Sequence, residues 1–123
     1  MHVETCAIKT GSSFSPASLS TLDSEETLVL LFGAPDLIDA PHRIREVVDA
    51  CPRSHVMGCS TAGEIHGCEI SDDSMAVAAV RFDNTPIRTA HAAVHSPNDS
   101  YAAGRAIATQ LKQPSLRGVL VLS

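Results

Sequence analysis

The sequence of 123 residues is long enough for one domain with a buried core, and its 44% hydrophobic and 19% charged residues are ordinary for a soluble globular protein. Its 14 acidic and nine basic side chains give a net charge of −5, which argues against a nucleic-acid surface because such surfaces need clustered Lys and Arg. The longest apolar run, residues 28–32, is far too short to span a bilayer, and the N-terminus has no signal-peptide core. We therefore expect a cytoplasmic protein whose four cysteines are thiols.

The first third of the chain predicts two strands separated by a polar loop. Residues 2–9 alternate loosely and are typical of an edge strand. Residues 10–26 are rich in Ser, Thr and acidic side chains, so they predict a loop with at most one short helix, residues 16–22 behind a Ser15 cap. Residues 27–32 are apolar on both faces, the pattern of a strand that is covered above and below.

A helix and a third strand follow. Four residues at i, i+3, i+4 and i+7 predict a helix over residues 41–51: Ile44, Val47, Val48 and Cys51. Asp39 is suited to cap this helix, and Pro52 stops it. Residues 55–57 then predict a strand that leads into a glycine-bounded loop.

The second half predicts two strands, a helix and a final strand. Residues 75–82 predict a strand buried on both faces, and after a turn at residues 83–86 the segment 87–94 is expected to return as its hairpin partner. Residues 97–113 predict a helix, and residues 118–122 a fully apolar strand. This order predicts a single α/β domain over residues 1–123, with a mixed, largely apolar β-sheet flanked by helices.

The densest chemistry lies in the loop after the third strand. Two thiols, two hydroxyls, one carboxylate and one imidazole crowd into residues 59–68, and the segment also contains Gly63 and Gly67 and follows Gly58. Glycine permits φ > 0 and close approach of a ligand. Consecutive N–H groups and hydroxyls in such a loop bind carboxylate or phosphate. A strand-exit turn whose hydroxyls bond their own backbone explains the same residues.

Individual side chains of this loop also have two interpretations each. Glu64 is suited to pair with a ligand amine or to remain a solvated carboxylate. Cys59 at a strand-to-loop turn is placed like the nucleophile of a cysteine-dependent enzyme, which would need a nearby base such as His66, seven residues further on; a buried core thiol is the commoner explanation. The loop lacks the Gly-Lys-Ser/Thr ending of a nucleotide-binding P-loop.

Spacing limits the metal sites that the histidines can form. His91 and His95 on one strand face would lie roughly 13 Å apart, too far to share one ion. His66 and Cys68 would lie only about 7 Å apart, with Cys59 as a third candidate ligand. No Cys-x-x-Cys pair supports this site, so structural zinc is not expected.

The chain resembles the N-terminal part of the FIST family of bacterial sensory domains. The resemblance rests on the apolar strand at residues 28–32, the Gly-Ala-Pro-Asp that follows, the amphipathic helix, and above all the Gly-Cys-Ser-Thr-Ala-Gly-Glu-Ile string at residues 58–65. It implies a non-catalytic signal-input domain that binds a small ligand and reports to a histidine kinase or a cyclic-di-GMP enzyme. The expected ligand-binding residues are Gly58, Cys59, Ser60, Thr61, Ala62, Gly63 and Glu64.

Two ligand classes follow from the resemblance. Amino acids are the ligands suggested for the family, and one branch binds haem and senses nitric oxide. If haem binds here, His66 is the expected iron ligand because it adjoins the glycine-bounded loop. Cys51-Pro52 resembles a haem-responsive motif, but proline directly after a helix is an ordinary stop signal.

The resemblance also implies a second half beyond this chain. In the family, the strand that matches residues 118–122 leads into an Asp-Gly segment and a C-terminal half, which this chain is expected to lack. A sheet edge left open by that absence could be covered by self-association, so a homo-oligomer is one expected state.

Overall fold

A four-stranded mixed sheet organises the larger of two units in this computed structural model, which describes residues 1–9, 11, 14–38 and 41–122. The larger unit holds Met1–Ile87 and Leu122, and the smaller unit holds Arg88–Val121. The strands are β1 (His2–Lys9), β2 (Thr27–Gly33), β3 (His55–Ser60), β4 (Glu64–His66), β5 (Glu69–Ser71) and β6 (Ser74–Arg81). The predicted α/β class with a mixed sheet is confirmed.

The order of strands in this sheet is β1-β6-β2-β3. β6 runs antiparallel to both β1 and β2, whereas β2 and β3 are parallel. A parallel pair needs a crossover connection, and the helix α2 (Pro41–Ala50) supplies it, one residue shorter than predicted. The pairing sets Gly33 opposite Ser60, so the carboxyl ends of β2 and β3 lie side by side.

The other helical segments of the larger unit are short. They are α1 (Ala17–Ser20) and a 3₁₀ turn at Pro35–Ile38. The sequence predicted a helix over residues 16–22 with a Ser15 cap, but α1 has four residues, Pro16 stands at its N-cap and no side chain caps it. The predicted cap of α2, Asp39, lies outside the described residues.

The core lies on one face of the sheet, between the strands and the helices. Along β2 the residues Thr27, Val29, Leu31 and Gly33 are buried and those between them are half-buried. The buried face packs with Leu19 of α1 and Val47 of α2 in one hydrophobic cluster. The sequence indicated equal burial on both faces of β2, but only this face is fully covered among the described residues, because both helices contribute to it.

The segment after β3, predicted as a glycine-bounded loop, forms a hairpin. β4 and β5 pair antiparallel, with Ile65 opposite Ile70 and His66 opposite Glu69. Gly67 lies at the turn with φ of 62°, a conformation that glycine adopts without steric cost. The apolar pair on this hairpin is exposed, with 69% of Ile65 and 76% of Ile70 accessible.

The smaller unit contains one substantial helix. A 3₁₀ turn at Pro97–Asp99 leads into α3 (Ser100–Leu111), and a capping box joins Ser96 to Asp99. The predicted strands at residues 87–94 and 118–122 are wrong, since neither segment, as far as the structure describes them, pairs with a strand. An apolar run becomes a strand only where a neighbouring strand completes its hydrogen bonds. None of the helices in the described part of the chain is long and apolar enough to cross a membrane.

Candidate functional site

A cavity of about 350 Å³ opens at the carboxyl ends of β2 and β3. We call it the strand-end cavity. Residues 56–60 of β3 line one side of it. The remaining lining comes from β2 and the residue after it, from α2 and from β6: Leu31, Gly33, Ala34, Ile44 and Met75.

The parallel pair explains why the cavity forms at this place. The chain leaves β2 after Gly33 and returns through α2 to β3, so the crossover begins at the ends of these two adjacent strands. In open α/β sheets, ligands bind outside the carboxyl ends of the strands. Ile44 of α2 lines the cavity and is 36% exposed, although its helix spacing predicted a core position.

Gly58 lets β2 and β3 approach each other at the cavity wall. A Cβ atom at this position would lie 2.7 Å from Leu31 Cβ and closer still to the Leu31 carbonyl oxygen. No side chain fits there without moving the backbone of β2. Gly58 is therefore needed for strand packing first, and its contribution to the cavity is the open space that the missing side chain leaves.

The lining is apolar with two polar side chains. They are the half-buried thiol of Cys59 and the exposed hydroxyl of Ser60. None of the described residues that line the cavity is charged, and none is a histidine. An apolar wall with a few hydrogen-bonding groups is the usual composition of a small-molecule site.

The residues that follow Ser60 are engaged with the protein itself. The Thr61 N–H donates to the Gly33 carbonyl at 2.9 Å, and the Thr61 hydroxyl donates to Glu64 Oε1 at 2.6 Å. The Ser74 N–H and hydroxyl donate to Glu64 Oε2 at 3.3 and 3.1 Å. We call Thr61, Glu64 and Ser74 the Glu64 cluster. Glu64 is 3% exposed, so it is not the solvated carboxylate that one interpretation predicted.

The predicted ligand-binding residues thus fall into two groups. Gly58, Cys59 and Ser60 line the strand-end cavity. Thr61, Ala62, Gly63 and Glu64 are not among its lining residues, and a Cβ atom on Gly63 would lie 3.2 Å from Asp72 Oδ1. Their ligand-binding role stays a prediction.

A sequence model of the FIST N domain family matches residues 27–123, well over half of the chain. The chain belongs to the FIST N domain family. FIST is a family of sensory domains that act in signal transduction and are not catalytic. Neither the curated proteins nor the solved structures gave a match to the chain.

The position of His66 bears on the haem expectation for this FIST domain. His66 lies in β4, opposite Glu69, and does not line the strand-end cavity. Among the described lining residues, Met57, Cys59 and Met75 have side chains of types that ligate haem iron in other proteins. Haem held by His66 does not fit this cavity. The described residues also contain no group of three or more His, Cys, Asp or Glu placed to hold a metal ion.

The thiols differ in their surroundings. All four cysteines are free. Burial raises the pKa of Cys6, and burial together with the nearby Asp23 carboxylate raises the pKa of Cys51. Those two thiols are therefore poor nucleophiles near neutral pH. Cys59 is half-buried and lines the strand-end cavity, and none of the described lining residues is a histidine.

Proposed function

We propose that this FIST domain is a cytoplasmic signal-input domain that binds a small ligand in the strand-end cavity. It reports the bound state to a histidine kinase or to a cyclic-di-GMP enzyme. The observation that carries the proposal is the cavity itself, which lies at the carboxyl ends of a parallel strand pair and is lined by Gly58, Cys59 and Ser60. Membership of a sensory family supports the same conclusion.

Three methionines make the ligand half of the proposal directly measurable. Met57 and Met75 line the cavity, whereas Met1 does not. Proton–carbon spectra of protein labelled with ¹³C-methyl methionine therefore contain two reporters and one internal control. We expect a pool of amino acids and small organic molecules to contain a compound that shifts the Met57 and Met75 signals and leaves Met1 in place. If no compound shifts the two reporters, the cavity is not a ligand site.

Haem with nitric oxide as the signal is a second ligand proposal, supported by the family resemblance rather than by the cavity. Purified protein mixed with haemin should then show a Soret band that is lost in His66→Ala. A band that survives His66→Ala but is lost in Cys59→Ala would place the iron at the cavity. If the unmodified protein, His66→Ala and Cys59→Ala all lack a Soret band, the haem proposal is wrong.

The output half of the proposal needs a separate measurement. Autophosphorylation of a purified histidine kinase and synthesis of cyclic-di-GMP by a purified cyclase can each be assayed in the presence and absence of this chain. We expect one of the two activities to change when the chain is added. If neither enzyme activity changes when the chain is added, the proposed partners are wrong. That result would not contradict the proposed ligand site.

A further inference from the structure

We infer that the ligand of the strand-end cavity is a small neutral molecule, mainly apolar, with one hydrogen-bonding group. The inference rests on the proposed function, because it assigns a chemical class to the ligand of that same site. A neutral ligand differs from the amino acids that the family resemblance suggests, because an amino acid carries both a positive and a negative charge at neutral pH.

The charge of the ligand follows from what lines the cavity. None of the described lining residues has a charged side chain, so a ligand ion would lose hydration without gaining a partner of opposite charge. The carboxylate of Glu64 follows the lining residue Ser60 by four positions in the chain. It already accepts hydrogen bonds from Thr61 and Ser74, which makes it a poor partner for a ligand amine.

The size of the ligand follows from the volume. An apolar cavity of about 150 Å³ is enough to bind benzene. The strand-end cavity, at about 350 Å³, has room for a molecule of roughly twice that size. Volumes from about 300 Å³ upwards are typical of small-molecule sites.

The walls indicate where each part of the ligand binds. Leu31, Ile44 and Val56 supply a rigid apolar surface, and the thioethers of Met57 and Met75 adapt to irregular shapes. Ser60 is the last residue of β3, lines the cavity and is exposed. It is therefore placed to meet the single polar group of the ligand.

Three probes that share one ring and differ only in charge test this inference. They are benzyl alcohol, benzoate and benzylammonium, titrated at pH 7 into protein labelled with ¹³C-methyl methionine. We expect benzyl alcohol to shift the Met57 and Met75 signals with an affinity at least about tenfold higher than either ion, because each ion must give up hydration. Met1 is the internal control.

A variant of α2 provides a test by gain of function. Ile44 lines the cavity and is 36% exposed, so Ile44→Lys adds a cation at the rim on a helix that tolerates lysine. We expect this change to strengthen benzoate binding by about fivefold and to weaken benzylammonium binding. Val48→Lys is the matched control, since Val48 is 40% exposed on the same helix and does not line the cavity.

The possible outcomes separate this inference from the proposed function. If benzoate or benzylammonium binds as tightly as benzyl alcohol, the ligand class is wrong and the cavity remains a ligand site. If none of the three probes binds but a charged compound from the larger pool does, the ligand class is again wrong. If no compound of any charge shifts Met57 and Met75, the proposed function fails as well.

Discussion

Two halves of one short segment differ in what they contact. Gly58, Cys59 and Ser60 line the strand-end cavity, whereas Thr61 and Glu64, which follow directly, form hydrogen bonds within the protein. Both halves belong to the string that carries the FIST resemblance. The difference shows that a motif of small and polar residues can line a cavity with one half and fix its own backbone with the other.

The change occurs where β3 ends. Up to Ser60 the segment is a strand at the edge of the described sheet, with β2 on one side only. At Thr61 the amide still bonds to Gly33, but the chain then turns into the β4–β5 hairpin. Both ends of this hairpin are held by the Glu64 cluster, because Glu64 begins β4 and Ser74 begins β6.

The largest effect is expected from a change at Gly58. Gly58→Ala places a Cβ atom against Leu31 and forces β2 and β3 apart, so we expect the free energy of unfolding to fall by about 3 kcal/mol. The free energy of unfolding is measured by urea denaturation, with circular dichroism as the signal. Gly104→Ala is the control, because no atom lies within 4 Å of the added Cβ, and alanine inside α3 should raise stability by about 0.5–1 kcal/mol. A Gly58→Ala protein as stable as the original would show that the strands are not in close contact there.

A smaller effect is expected from Glu64. Glu64→Ala removes the acceptor for three hydrogen bonds, two of them from the buried Ser74, so we expect a loss of about 2 kcal/mol in the free energy of unfolding. Glu64→Gln should lose only about 1 kcal/mol, because its amide oxygen can still accept from Ser74 and the Thr61 hydroxyl can rotate to accept from the amide. Thermal denaturation of the two variants gives the difference. Equal losses would mean that the charge of Glu64, rather than its hydrogen bonds, holds the turn.

The smallest effect is expected from the other glutamate of the hairpin. The Lys9 ammonium donates a hydrogen bond to Glu69 and, with its charge, lowers the pKa of this exposed carboxyl. A lowered pKa in the folded state stabilises the fold above the ordinary pKa of about 4.3, and this stabilisation is lost as the pH falls through the lowered value.

A carboxyl-carbon NMR titration of Glu69 tests this assignment. In Lys9→Met the pKa of Glu69 should rise towards its ordinary value, and 0.5 M salt should have the same effect on the unmodified protein because it screens an exposed pair. A pKa that does not change in Lys9→Met would assign the lowered pKa to another group, and His66, opposite Glu69 in the hairpin, also lowers it.

Local patterns predicted most of the larger unit. The spacing of Val47 and Cys51 identified α2 to within one residue, and the apolar runs identified β2 and β6. The same kind of apolar run at residues 118–122 predicted a strand that does not form, and Val121 is 70% exposed there. An apolar run indicates that a segment is able to form a strand. Pairing also requires a partner strand at the right distance, and a local sequence pattern does not show whether such a partner is present.

The candidate site shows the same limit. Gly58, Cys59 and Ser60 were predicted because small and polar residues after a strand suggest a ligand site, whereas Ile44 and Met75 were assigned to the core or to a strand. The spacing of apolar residues predicted the helix that contains Ile44 and the strand that contains Met75. It could not predict that α2 and the ends of β2 and β3 leave a cavity between them. Glu64 had two predicted roles, and only its contacts with Thr61 and Ser74 decided that it is buried.

The sequence by itself determined the family, the mixed α/β class, most of the strands and the segment that carries the chemistry, because these depend on residue types and their local periodicity. Only the tertiary structure decided which residues of that segment face the cavity and which bond to the protein. That division depends on the parallel pairing of β2 with β3 and on the return of the chain to Ser74, and both bring together residues that are far apart in the sequence.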